Sequence, residues 1–256
     1  MNAYHLKLSA IVAMVLNHIA IAFYTVLPLG VMLPIYAIGG LTYTVMAYFI
    51  VEGYKHTSSL SKYIFRLFIF GVIAQAVHGM VLGITAFVSP IMHLNIMFSI
   101  ILALLVLLLY DKVKIRFLFW VLFVVACILA FFMDLFFVAI LMPLLYYTIK
   151  DETRRRTLPG IVGGIIFLVL GLPLFLANFA PDVDVYSEFG MSPELALATP
   201  TFAFGCFIGA VLIKNFNNER GKRSKWLFYV FYPLHLAVLA EIGIVIGTTE
   251  FSLFGF

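Results

Sequence analysis

The feature that most constrains this chain is a succession of long apolar runs separated by short polar loops. Nine runs stand out, at 8–27, 31–51, 63–88, 91–110, 117–133, 135–149, 161–179, 195–213 and 226–247. A helix that crosses a bilayer needs roughly 20 mostly apolar residues, with a range of about 17–25. The runs are continuous rather than alternating, so barrel strands are excluded. Of the 256 residues, 64% are apolar and 11% charged, against about 25% charged in an ordinary soluble domain. So few charges cannot cover so much apolar surface in water. A soluble enzyme, a disordered chain and a nucleic-acid-binding domain are therefore excluded, and nucleic acid is not an expected partner. The expected fold is all-α: a polytopic integral membrane helix bundle with about nine transmembrane helices, forming one domain over 1–256. Its partner is membrane lipid, and its expected place is the cell membrane. The run after Lys7 is followed by many others, so it reads as a first span rather than a cleaved signal peptide.

Turn residues mark the breaks: Pro28-Leu29-Gly30, Gly53, Ser89-Pro90, Pro159-Gly160 and Pro181-Asp182. The runs on either side of Asp134 are short. They read as two spans, a re-entrant hairpin or one long kinked element. With nine spans the loops alternate sides, and all 16 lysines and arginines fall in one set. The other set holds Asp134 and an acidic loop with Asp182, Asp184, Glu188 and Glu194. Basic residues mark the cytoplasmic side. The expected N-terminus is cytoplasmic and the C-terminus outside.

Polar residues inside a span are costly and point to function. His18 lies 11 residues beyond Lys7, about 16 Å in at the helical rise, and His235 lies 10 residues beyond Lys225, about 15 Å in. Both sit near the middle of a core roughly 30 Å thick. Two imidazoles at one depth, from the first and last spans, can line one cavity, or each can bond a neighbouring helix. Imidazole is the side chain that serves as a base near neutral pH without perturbation. Asn17 and Asn95 add polar groups beside that depth. Gln75 suits interhelical bonding, His93 suits the interface, and Glu241 is an isolated carboxylate in the last span. Glu52 and Arg66 sit at the cytoplasmic edge, where an ion pair, snorkelling or a ligand each account for them. The segment from Asn217 to Lys225 gathers Arg220, Lys222, Arg223 and Lys225 around Gly221 before a helix, a setting that can hold a polyphosphate. Cys127 and Cys206 lie inside apolar runs and offer neither a disulfide framework nor metal spacing; no metal is expected.

Several stretches resemble the TraX family. They are Leu6-Lys7-Leu8 through Asn17-His18-Ile19; Val51 to Thr57 with Lys62-Tyr63 and Arg66-Leu67; Leu94 to Ser99; and Asn217 to Gly221 with Trp226 to Leu236. The middle, 115–195, is similar mainly in hydropathy. The resemblance implies a polytopic acetyltransferase with acetyl-CoA as co-substrate, related to the wider transmembrane acyltransferases. The family's named activity is acetylation of a pilin N-terminus. Two family positions differ here. The Asp-His pair of the first span is Asn17-His18, and a Gly-Arg pair of the second falls at Gly39-Gly40.

The expected activity is transfer of an acetyl group from cytoplasmic acetyl-CoA to an amine or hydroxyl of an acceptor peptide or glycan. His18 is the expected general base, with Asn17 and His235 completing the catalytic set. Glu52, Arg66, Asn95, Arg220, Lys222 and Lys225 are the candidates for binding the co-substrate. The alternative is a small multi-pass transporter or channel, since polar groups at mid-depth and broken helices also describe transporters.

Overall fold

A computed structural model of the chain describes residues 1–81, 93–180, 192–222 and 227–248. Lys225, Arg223, Trp226, the Ser89-Pro90 and Pro181-Asp182 breaks, and Asp182, Asp184 and Glu188 of the acidic loop lie outside the described residues. The helices in chain order are α1 (Ala3–Ala22), α2 (Leu29–Ala37), α3 (Gly39–His56), α4 (Leu60–Val81), α5 (Ile96–Lys112) and α6 (Arg116–Ala130). There follow α7 (Val138–Thr148), α8 (Glu152–Ala177), α9 (Pro193–Ala198), a single 3₁₀ turn at Thr199–Thr201, α10 (Phe202–Lys214) and α11 (Leu227–Val245). Among the described residues there is no strand, only an isolated bridge between Leu94 and Met133.

These elements make nine segments in the order the apolar runs predict, since α2 continues into α3 and α9 into α10. Among the described residues six segments are long and apolar enough to cross a membrane; α5, with 17 residues, and the two helices flanking Asp134 are shorter. The helices flanking Asp134 have 15 and 11 residues, about 22 Å and 16 Å at the helical rise, short of a core roughly 30 Å thick. They form a hairpin that starts and ends where Arg116 and Lys150 lie and whose turn, at Asp134, packs against Leu94 and Ser99. Three sequence breaks also differ. α8 runs unbroken through Pro159 and Pro173. α3 continues past Gly53 to His56. The run 31–51 is instead divided at Ile38, which caps the end of α2.

The central helix is α3. Its two faces feed two cores: Tyr43, Val45, Ala47, Tyr48 and Val51 pack with α5, α6 and α7, and Ile50 joins Met14, Leu67, Ile100 and Leu236 from α1, α4, α5 and α11. Small residues allow α3 and α10 to touch backbone to backbone, the usual device for helix contact in lipid. A Cβ on Gly40 would lie 2.1 Å from the Phe202 carbonyl oxygen, and one on Gly205 2.4 Å from that of Ala37. Many large apolar side chains face outward, Val72, Ile73, Val124, Ile128 and Val169 among them. An apolar skin of that extent suits lipid rather than water. The chain is a multi-pass membrane protein.

The two ends of the bundle differ. At one end α1 begins, and its entry is tied to the segment after α10: the Ala3 N–H donates to the Glu219 carbonyl at 2.8 Å and the Asn217 N–H to Met1 at 3.0 Å. Nearby, Arg155 bridges Glu52 and Glu152 at 3.0 and 2.8 Å, and Arg156 donates to the Phe216 carbonyl. At the other end the hairpin turn is held tightly. The Asp134 N–H donates to the Leu94 carbonyl at 3.0 Å, and Ser99 Oγ donates to the Asp134 carbonyl at 2.9 Å. Leu135 and Phe136, next in the chain, both have left-handed φ, 64° and 48°. For side-chain-bearing residues this costs about 1–2 kcal/mol each, and such strain persists only where the surroundings impose it.

Candidate active site

The two mid-depth histidines meet. His235 Nε2 lies 3.1 Å from His18 Nδ1, with ring centroids 4.9 Å apart. α1 and α11 bring them there, and each ring is fixed by its own helix. His18 Nδ1 lies 2.9 Å from the Met14 carbonyl, and His235 Nδ1 lies 2.9 Å from the Phe231 carbonyl. A carbonyl oxygen only accepts, so the bonding pattern assigns the proton to Nδ1 in both rings. In the neutral pair His235 Nε2 then accepts from His18 Nδ1–H, which Met14 shares. His18 Nε2 is left unprotonated, with no hydrogen-bond partner among the described residues. That is the arrangement a general base requires.

His18 lines a cavity of about 150 Å³, together with Met14, Asn17, Tyr36, Gly39, Thr42, Tyr43, Met46, His78, Asp134 and Tyr232 among others. Its polar walls are braced. Asn17 Nδ2 donates to the Tyr36 carbonyl at 3.1 Å, which pins the end of α2 to α1. Thr42 donates to the Ala10 carbonyl at 3.0 Å, and Tyr43 donates to the Ala139 carbonyl. Gly39 closes one wall, with Gly40 next to it in the chain. A Cβ on Gly39 would lie 2.4 Å from Asn17 Nδ2, and the backbone of α10 abuts Gly40. No long cation fits at this position, which accounts for glycine where the resemblance expects arginine.

A carboxylate reaches the same cavity from the hairpin turn. Asp134 accepts from His78 Nε2 at 3.0 Å and from His93 Nε2 at 3.1 Å, one imidazole to each oxygen. His78 is almost fully buried, whereas the Asp134 side chain keeps 20% of its surface. Among the described residues no group of histidine, cysteine, aspartate or glutamate has the arrangement to hold a metal ion.

A second opening lies towards the end where α1 begins. This cleft of about 310 Å³ is lined by Lys7, Arg66, Arg220 and Lys222 on its polar side, and by residues including Phe49, Ile50, Met97 and Tyr229 on its apolar side. Its described lining contains no aspartate or glutamate. Arg66 Nε is buried without a partner among the described residues. Gly221 holds the loop beneath Arg220 and Lys222 with φ 63°, and a Cβ there would lie 2.8 Å from Asn2 Oδ1. Met46 lines both openings, so the basic cleft and the histidine cavity meet at one side chain.

The sequence candidates therefore separate. His18, Asn17 and His235 come together, with His235 behind His18 rather than in the cavity wall. Arg66, Arg220 and Lys222 come together in the cleft. Asn95 and Glu52 line neither opening. Asn95 caps α5 and bonds Gly71 and Gln75, and Glu52 pairs with Arg155. Gln75 also donates to the His93 carbonyl at 2.8 Å, so it ties α4 to the start of α5. Glu241 is exposed on α11 and lines neither opening. His78 is not among the sequence candidates, although an ionisable group inside a span carries the same signal as His18. Asp134 stands in the sequence only as a loop residue. The signal there was one carboxylate between two runs too short to span.

A family model described as TraX protein matches residues 3–243. A similar protein is that of Dichelobacter nodosus named "Probable fimbrial assembly protein FimC, serogroup H1", 26% identical over 259 residues, covering 94% of this chain and 95% of that protein. No solved structure matches.

Proposed function

This chain belongs to the TraX family, and from that membership we propose that it is an integral-membrane acetyltransferase, with acetyl-CoA entering at the basic cleft and the acceptor reacting at His18. The observation that carries the reading is the junction at Met46 of a cation-lined cleft and a cavity whose histidine presents a bare nitrogen. The cleft suits a phosphate-bearing ligand: four cations line it, and Arg66, whose guanidinium bonds Tyr229, keeps a buried Nε without an acceptor among the described residues. Bound there, acetyl-CoA supplies the activated acetyl group. The cationic end faces the cytoplasm, by the rule that lysine and arginine stay on that side.

The residues of the chain then have separate tasks. Lys7, Arg66, Arg220 and Lys222 hold the phosphates, and Met46 stands between them and the reacting centre. His18 Nε2 takes the proton of the acceptor amine or hydroxyl as that atom bonds to the acetyl carbon. It returns the proton to the departing sulfur as the carbon–sulfur bond breaks. His235 fixes the tautomer and orientation of His18 without touching either substrate, the part a third group plays in nucleophile–base systems. The relative's name ties that protein to fimbrial assembly. For this chain the acceptor class is a surface peptide terminus, such as that of a pilus subunit, or a glycan.

Two measurements test the reading. Purified protein should gain thermal stability with acetyl-CoA and less with dephospho-CoA. Mass spectrometry of extracytoplasmic peptides and glycans, with and without the protein, should show acetyl groups that depend on it. A transporter or channel built on the same polar cavity would show neither.

A further inference from the structure

We infer that Asp134, delivered by the α6–α7 hairpin, is the counter-anion of the His18 base, standing in for the carboxylate that Asn17 does not supply. The inference rests on the acetyltransferase reading for its consequence in turnover, but its electrostatic content can be measured separately. When His18 accepts a proton in an apolar interior, the imidazolium needs an opposite charge already in place, because water cannot supply one. Asn17 is neutral and is spent on the Tyr36 carbonyl. Asp134 and His18 line the same cavity, and no other described aspartate or glutamate lines it.

Three observations set Asp134 apart from a loop residue. The hairpin turn places a carboxylate in the lining of the cavity that holds His18. The turn is strained at Leu135 and Phe136 and is held by backbone and Ser99 bonds that do not use the carboxyl. Its two oxygens each accept from one imidazole, His78 and His93, and a carboxylate with such donors is favoured in its ionised form. His78 Nδ1 is buried with no partner among the described residues, so this imidazole is committed to Asp134 through Nε2 alone. Asp134 thereby acts through His18 as a positioning charge, not as the base itself.

The groups that face His18 from each packed element are His235 and Tyr232 of α11, His78 of α4, Tyr36 of α2, Tyr43 of α3, and Asp134 of the hairpin turn. Of these only Asp134 is an anion near neutral pH. Its removal therefore favours the neutral imidazole of His18.

The test uses the full-length protein in nanodiscs with ¹⁵N-labelled histidine. Asp134→Asn keeps the shape of the turn and should lower the His18 titration midpoint by about one pH unit or more. Adding Asn17→Asp to that variant should bring the midpoint back up. Turnover at neutral pH should fall roughly 10²-fold in Asp134→Asn and recover in part in the double variant, with the acidic limb of the pH–rate profile following the midpoint. An unmoved midpoint in a folded Asp134→Asn protein overturns the inference. So does a protonated-carboxyl infrared band from ¹³C-aspartate in the wild-type protein at neutral pH, a measurement that needs no variant to fold. A moved midpoint in a protein whose wild type transfers no acetyl group supports the charge pair and overturns the acetyltransferase reading instead.

Discussion

The basic cleft and the histidine cavity share one methionine and little else. In the cleft, Arg220 and Lys222 are exposed on a loop, Lys7 lies over the Phe49 ring at 4.7 Å, and four cations stand without a described carboxylate among them. In the cavity, polar groups are placed one against one: His18 on His235 and Met14, Asp134 on His78 and His93, Asn17 on Tyr36. The difference follows from solvent. Arg220 and Lys222, exposed at the water boundary, stay hydrated and can wait for a ligand at little cost. The interior has no such reserve, and most of its polar groups are bonded by the protein. Losses in the cleft should therefore be graded and screened by salt, whereas losses in the cavity should be steep and coupled.

The largest expected effect is at the cavity. His18→Ala should keep acetyl-CoA binding and lose acetyl transfer by roughly 10²–10⁴-fold. Near-normal turnover per folded molecule in His18→Ala would remove the histidine from the chemistry and erase the contrast with the cleft.

Next in size is the wall of the cavity. Gly40→Ala forces a Cβ against the backbone of α10, so folding stability should drop by about 1–3 kcal/mol or more. Thermal unfolding in detergent reads this directly, and an unchanged midpoint would mean that α3 and α10 are not in backbone contact. Cleft variants should do less. Arg66→Ala removes a partly buried guanidinium and should weaken acetyl-CoA binding by about tenfold or more, as for a hydrogen bond to a charged group. Arg220→Ala with Lys222→Ala should weaken it about two- to tenfold, and high salt should mimic the loss. Titration calorimetry at two ionic strengths separates the two; a salt-independent loss in the double variant would contradict hydrated cations. The smallest effect belongs to Lys114→Ala, outside both openings, where binding and turnover should stay at wild-type values. A marked loss there would mean that the phosphate site extends beyond the cleft.

Much of the architecture was legible in the apolar runs. Length and continuity located nine segments among the described residues. Where runs were misjudged, packing had overruled local signals. Pro159 and Pro173 lie within α8 because neighbouring helices and apolar surroundings sustain the rest of its bonds. Gly53 does not end α3, because a single glycine costs only about 1 kcal/mol against a helix otherwise well packed.

The site was legible to a different degree. Depth counted along two helices was enough to bring His18 and His235 into question together, since the rise per residue is constant. Cation content was enough to single out Arg66, Arg220 and Lys222. Depth says nothing of rotation about a helix axis, so the sequence could not separate Asn95, used up in capping α5, from Asn17, which borders the cavity. The sequence by itself determined that the chain is a membrane-embedded helix bundle with its cations at one end and ionisable groups within, because hydropathy and charge act through solvent and need no partner. Only the tertiary structure decided which nitrogen of His18 is bare, that Met46 joins the two openings, and that a hairpin too short to span carries Asp134 to the histidines. Those depend on contacts between residues up to 217 positions apart, which no local pattern records.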